Sequence, residues 1–158
     1  MAIYVTSDAH GHVRALDEAL SKISLASDDT LYVLGDMIDR GPDPVGVIKL
    51  VRSLPNARVL KGNHEQIMLD AIIGQDLLDA ETWDINGGWT TRQQLNDMEF
   101  EGYEELVRWM ATLPLYAVAE TDERPYLLVH AGIQTEAARA FLLEHGVDCA
   151  DGAGAVDA

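Results

Sequence analysis

Short apolar runs alternate with segments whose apolar residues recur every three or four positions, a pattern that predicts strand followed by helix. Ile3-Tyr4-Val5-Thr6 reads as a first strand, and Val13, Leu16, Leu20 and Ile23 form the core-facing stripe of a first helix. After the Ser27-Asp28-Asp29 turn, Leu31-Tyr32-Val33-Leu34 has no polar alternation and reads as a fully buried strand. Asp43-Pro44 supplies an N-cap and a proline at the first helical position, and Val47, Ile48, Val51 and Leu54 give that second helix its apolar face. Pro55-Asn56 then turns the chain into a short third strand, Arg58-Val59-Leu60.

Residues 66–114 read as mostly helical, with apolar positions at Ile67, Leu69, Ile72 and Ile73 and a second stripe at Leu106, Val107, Met110 and Leu113 that Pro114 terminates. Leu115 to Ala119 and Tyr126 to Val129 predict two more strands about the polar turn Thr121-Asp122-Glu123-Arg124-Pro125. Thr135 can cap a last helix carrying Ala138, Phe141 and Leu142, and His145-Gly146 places a basic residue and a glycine at its end. The expected class is α/β, with one domain over residues 1–147 and a small-residue, acidic tail over 148–158 expected to be disordered.

The polar residues just past each apolar run change the picture from fold to chemistry. Leu31 to Leu34 run into Gly35-Asp36-Met37-Ile38-Asp39-Arg40-Gly41-Pro42, so two carboxylates and a guanidinium emerge at a strand's carboxyl end. Open α/β sheets keep their ligands there. A carboxylate can hold a divalent cation, and arginine can grip phosphate oxygens as a planar fork. Taken alone, the octapeptide fits equally well a surface turn in which Asp36 or Asp39 pairs with Arg40. Repetition favours a site for metal and phosphate.

The first strand is closed by Ser7-Asp8-Ala9-His10-Gly11-His12, and in extended backbone Asp8 and His10, two apart, would point the same way toward one cation. Carboxylate plus imidazole suits manganese, iron or zinc better than calcium. His12 reads as a loop residue. The third strand leads into Gly62-Asn63-His64-Glu65, where Asn63 can offer an amide oxygen to a metal and His64 can protonate a leaving oxygen, its ordinary pKa lying near neutrality. Such a histidine needs a carboxylate to fix its tautomer, and Asp39 is the choice. The fifth strand ends in His130-Ala131-Gly132, a fourth strand-end ligand. Trp83 and Trp89 flank Gly87-Gly88 and are expected either in the core or along a substrate-specificity loop.

A formal charge of −16 argues against a general nucleic-acid or anionic-membrane surface, although local cations or metals could still attract a phosphate. The single cysteine, Cys149, excludes an internal disulfide framework and a cysteine-rich zinc site. With no basic leader and no run of membrane-spanning length, the expectation is a soluble cytoplasmic protein.

Asp8-Ala9-His10-Gly11, Gly35-Asp36-Met37-Ile38-Asp39-Arg40-Gly41, Gly62-Asn63-His64-Glu65 and His130-Ala131-Gly132, in this order, resemble the signature of the phosphoprotein-phosphatase (serine/threonine phosphatase) branch of the metallophosphoesterases. The Trp83 to Gly88 stretch and Leu113-Pro114-Leu115 resemble the bacterial and phage members, relatives of diadenosine tetraphosphatase included. The resemblance implies a calcineurin-like sandwich of two sheets flanked by helices. It also implies two divalent cations, manganese foremost, with Asp8 and His10 on the first, Asp36 bridging, and Asn63 and His130 on the second. His64 becomes the general acid paired with Asp39, and Arg40 a phosphate clamp beside Asn63 and His64. The implied reaction is in-line attack on phosphorus by a metal-activated hydroxide.

The family carries a further histidine, arginine and strands downstream of His-Ala-Gly that find no match here. The second sheet is therefore expected to be incomplete, the second metal to lack one protein ligand, and an exposed apolar surface to favour a homodimer. The leading functional expectation is hydrolysis of phosphomonoesters, foremost of a phosphorylated protein, or else of a small phosphoester. A diadenosine-tetraphosphatase-like nucleotide hydrolase and an inactive metal- or phosphate-binding remnant are the alternatives.

Overall fold

The computed structural model describes residues 1–74, 77–132 and 135–144. Three strands, β1 (Ile3–Thr6), β2 (Thr30–Val33) and β3 (Ala57–Val59), form a parallel sheet in the order β1-β2-β3. β2 lies at the centre, and Leu31, Tyr32 and Val33 are all buried, as the unbroken apolar run requires. The crossovers are α1 (Val13–Ile23) and α2 (Pro44–Ser53), and Asp43 caps α2 by accepting from the Gly46 amide. α2 buries Val45, Val47, Ile48 and Val51 in the main core.

The helical stretch after β3 is divided into α3 (Asn63–Leu69), a π-helical turn over Asp70–Gly74, α4 (Leu77–Ile85), α5 (Trp89–Asn96) and α6 (Phe100–Ala111). α6 stops earlier than the stripe through Leu113 suggested. The residue before a proline is pushed out of the helical region, so the chain unwinds ahead of Pro114. Lys61 donates through its backbone amide to the Pro114 carbonyl at 2.8 Å, tying the start of the next segment to the end of β3. β4 (Tyr116–Ala119) and β5 (Tyr126–Val129) pair antiparallel as a separate two-stranded sheet, which the Tyr32 hydroxyl joins to the first by donating to the Val118 carbonyl. α7 (Thr135–Glu144) comes last. The layered α/β expectation is met, with a two-stranded second sheet among the described residues.

The capping side chain of Thr135, the side chain of Leu142, the His145-Gly146 helix end, Cys149 and the tail over 148–158 lie outside the described residues. Among the described residues no helix is long and apolar enough to cross a membrane.

Asp29 fastens the entry to β2. Its carboxylate accepts from the backbone amides of Ala2 and Ala26, and these donors, with the charged N-terminus nearby, hold it below the ordinary carboxylate range. A depressed folded-state pKa contributes stability that is present above the unfolded value and lost as pH falls through the folded one. Asp29→Asn is therefore expected to lower the urea midpoint at neutral pH and to narrow its gap from the parent below about pH 4. Unfolding curves across that range, with both proteins measured together, check this.

Candidate metal centre

The loops leaving β1 and β2 run side by side beyond the strands. The amides of Asp8, His10 and Gly11 donate to the carbonyls of Gly35, Asp36 and Met37 at 3.2, 2.9 and 2.8 Å, so the two loops are zipped together by backbone. Gly35, at φ 99°, sits where an added Cβ would stand 2.3 Å from the Gly62 amide nitrogen; only glycine lets the β2 and β3 loops approach this closely.

Asp8 and His10 do converge, but not by the extended geometry their spacing suggested. Their φ values are 57° and 40°, both left-handed, so two tight turns rather than a strand bring them together. Asp36, Asp39 and Arg40 are left-handed as well, at 53°, 67° and 67°. Five non-glycine residues in sparsely populated backbone are thus gathered at one place, where each is held by the surrounding structure.

The carboxylate of Asp36 is buried at the middle of the cluster, and its Oδ1 accepts from the His64 backbone amide at 3.0 Å. His10 Nε2 lies 3.7 Å and His64 Nε2 3.9 Å from Asp36 Oδ2, while His130 Nε2 lies 3.4 Å from Oδ1. Asp8 Oδ1 is 3.8 Å from His10 Nε2. His130 Nε2 also contacts Asn63 Oδ1 at 2.9 Å. Two groups of donors result, His10 with Asp36 and His64, and Asp8 with Asp36 and His130; Asp36 belongs to both. His64, expected to be the proton donor, stands within the first group, and Asp8 falls into the second as well as beside His10.

The donor set fits divalent cations. The His10 Nδ1–H donates to the Ile38 carbonyl at 2.8 Å, which fixes the tautomer and turns the Nε2 lone pair toward the cluster. His130 Nδ1 is buried without a hydrogen-bond partner among the described residues. The Asp8, Asp36 and Asp39 carboxylates stand against the His10 and His64 rings that the Arg40 guanidinium also reaches, and their excess of negative charge is one that a divalent cation would neutralise. Oxygen and imidazole donors together suit manganese, iron or zinc.

Arg40 lies across both rings. Its Nη1 donates to His10 Nε2 at 3.1 Å and its Nη2 to His64 Nε2 at 2.8 Å. On the far side of the His64 ring, Nδ1 donates to Asp39 Oδ2 at 2.7 Å, the pairing expected from the sequence. All eight residues singled out by the strand-end motifs therefore meet at one end of the parallel sheet.

Sequence reasoning missed Glu65. It is fully buried, and its two oxygens accept from the backbone amides of Asp36 at 2.8 Å, Met37 at 2.8 Å and Gly62 at 2.9 Å. One side chain thus pins the β2 loop to the start of α3. Burial raises its pKa, and the three amides and the nearby Asp36 charge act against and with that rise respectively. Its place directly after Asn63-His64 was the only signal. Of the two readings open for the tryptophans, Trp83 takes the core one and is buried, whereas Trp89 is exposed.

A parallel sheet that gathers carboxylate, imidazole and amide donors at its carboxyl edge defines an α/β protein built to hold divalent cations. The family described as calcineurin-like phosphoesterase matches residues 1–149, and the chain belongs to that family, whose members bind divalent metals. It is 32% identical over 136 residues to a symmetrical bis(5'-nucleosyl)-tetraphosphatase of Erwinia tasmaniensis, covering 84% of this chain and 45% of that relative. The chain thus spans about half the length of the curated relatives it matches.

Among solved structures, a metallophosphoesterase from Sphaerobacter thermophilus superimposes with a TM-score of 0.52 at 26% identity, over 74% of this chain and 42% of that one. A protein serine/threonine phosphatase from Saccharomyces cerevisiae gives a TM-score of 0.60 at 20% identity, over 84% of this chain and 38% of that one, a likeness of fold alone.

Proposed function

We propose that the chain acts as a divalent-metal-dependent phosphoester hydrolase and that dinucleoside polyphosphates are its favoured substrate class. The observation that carries the reaction type is the sharing of one buried carboxylate, Asp36, by two donor groups beside an arginine and a paired histidine. The substrate class rests on the relatives of Erwinia and Proteus, both named symmetrical bis(5'-nucleosyl)-tetraphosphatases. These comparisons favour the nucleotide alternative over the phosphoprotein substrate first expected.

Asp8, His10 and Asp36 would hold one cation, and Asp36, Asn63 and His130 the other, with manganese the first choice and iron or zinc next. When bound, the cations supply an ionised water and neutralise charge on the phosphate. The chain's own side chains do the rest. Arg40 grips non-bridging phosphate oxygens, with Asn63 and His64 beside it, so that phosphorus faces the nucleophile. As the new P–O bond forms, the leaving oxygen departs with the electron pair of the broken bond and takes the proton from His64 Nε2. Asp39 keeps that ring oriented and stabilises its charged form.

Hydrolysis of diadenosine tetraphosphate with manganese, compared with a phosphopeptide, tests the substrate. His64→Asn is expected to lower kcat about 100-fold. Undiminished turnover in that variant would remove His64 from the reaction, and preference for the phosphopeptide would return the substrate to the protein class. Two tightly held metals without turnover of either substrate would favour a binding module.

The phosphoprotein reading retains the support of the four ordered strand-end motifs. The fold likeness to the yeast phosphatase adds nothing to it beyond architecture.

A further inference from the structure

The stretch from Trp83 to Thr91, singled out in the sequence and not used by the reaction above, closes around Asp39. Asp39 Oδ1 accepts from the Thr91 hydroxyl at 2.6 Å and from Trp83 Nε1 at 3.1 Å. Its Oδ2 accepts from His64 Nδ1 at 2.7 Å and from the same indole nitrogen at 3.2 Å. Both carboxylate oxygens are therefore engaged, Oδ1 by the threonine and the indole and Oδ2 by the histidine and the indole. Thr91 Oγ1 also accepts from the Asp39 backbone amide at 2.9 Å, so one hydroxyl grips the residue at its backbone and at its side chain.

Every member of this frame is shielded from water: Asp39, His64 and Thr91 are 0% exposed and Trp83 is 3% exposed. In so dry a setting each hydrogen bond to the carboxylate is strengthened, and each one lost is costly. The glycines between α4 and α5 make the frame possible. A Cβ on Gly88 would fall 2.3 Å from the Trp83 indole, and Gly87, at φ 90°, turns its carbonyl to accept from the Arg40 amide at 3.0 Å. The Arg92 guanidinium lies 4.8 Å from the centre of the indole and pairs with Asp84.

The geometry points to Thr91 and Trp83 as positioning residues for the proton donor: they fix the Asp39 carboxylate and, through it, the direction in which His64 presents Nε2. This rests on the proposed hydrolase reading. In the site both side chains hydrogen-bond to Asp39 and to none of Asp8, His10, Asp36, Asn63 and His130, so their contribution falls on proton delivery rather than on substrate or metal binding. Without the Thr91 hydroxyl the carboxylate can rotate about its bond, and the ring it orients turns with it.

Proton delivery matters in proportion to how poorly the leaving oxygen carries negative charge, which supplies a selective test. Thr91→Val keeps shape and removes the hydroxyl; Thr91→Ser restores it. With manganese, kcat of Thr91→Val is expected to fall about 10- to 100-fold on phenyl phosphate and by less than about threefold on 2,4-dinitrophenyl phosphate, with KM unchanged and Thr91→Ser within about threefold of the parent. An equal loss on both esters, no loss on either, or a change in KM alone would overturn the assignment.

A second readout needs no turnover. The His64 Nδ1 proton, observed by NMR in the substrate-free chain, should shift in Thr91→Val and in Trp83→Phe and return in Thr91→Ser. An unmoved resonance in Thr91→Val overturns the frame even if the hydrolase reading stands. A parent inactive on both esters and on diadenosine tetraphosphate overturns the hydrolase reading, while the resonance still decides whether Thr91 holds the dyad.

Discussion

Asp36→Asn is expected to leave a folded chain that binds neither cation tightly and turns over phosphoesters on the order of 10⁴-fold more slowly. The asparagine keeps an oxygen at the position that accepts the His64 amide, so the backbone contact that orders the start of α3 survives. What disappears is the charge shared by both donor groups. Without it, His10 and His64 on one side and Asp8 and His130 on the other no longer have a common anion between them, and two cations brought close together would repel. Metal content per chain, read alongside circular dichroism and kcat/KM, separates this from unfolding. Full metal occupancy with parental activity in Asp36→Asn would refute the assignment of Asp36 as the bridge.

Glu65→Ala is expected to damage stability more than any substitution at a ligand. It would leave the amides of Asp36, Met37 and Gly62 without their carboxylate acceptor in a region closed to water. Each buried amide so orphaned costs about 1–3 kcal/mol, so the total exceeds about 3 kcal/mol, a large part of the roughly 5–15 kcal/mol that holds a domain together. Glu65→Gln rescues this incompletely, because an amide nitrogen has no lone pair to offer where a carboxylate oxygen accepted. A drop of many degrees in the thermal midpoint of Glu65→Ala, with a smaller drop in Glu65→Gln, is the expected order. A midpoint equal to the parent's would show that the three amides have other acceptors.

The strand-end donor residues were legible because each is written locally: an apolar run announces a buried strand, and the polar residues just beyond it must lie at the sheet's edge. Asp8, Asp36, Asn63 and His130 stand out in this way because the strand-end pattern repeats, each of them alone being open to a structural reading. The Asp39 to His64 pairing was also legible, since a neutral-range histidine in such a site calls for a carboxylate. Thr91, Trp83 and Glu65 were not, for a physical reason. Thr91 meets Asp39 across 52 positions of sequence and Trp83 across 44, through helices whose packing no periodicity specifies. A threonine or tryptophan in a helix looks the same whether it fills space or holds a carboxylate. Glu65 was hidden differently, because a glutamate near a helix start is ordinarily read as a surface residue favoured by the helix dipole.

The backbone around Asp8 and His10 carries the opposite lesson. Their spacing was read as extended, and the conclusion that they meet was right for the wrong geometric reason. Left-handed turns leave no trace in a hydrophobic pattern unless glycine marks them, and here aspartate and histidine stand where glycine would be comfortable.

That discomfort bears on how such a chain can change over generations. At Asp8, His10, Asp36, Asp39 and Arg40 the residue that best suits the main chain is the one with no side group to offer a cation, a proton or a phosphate. Mutational drift toward a sturdier molecule would thus run downhill toward silence at these five positions. In this sequence the five side chains of the loop cluster mark places where what serves chemistry and what serves durability pull apart.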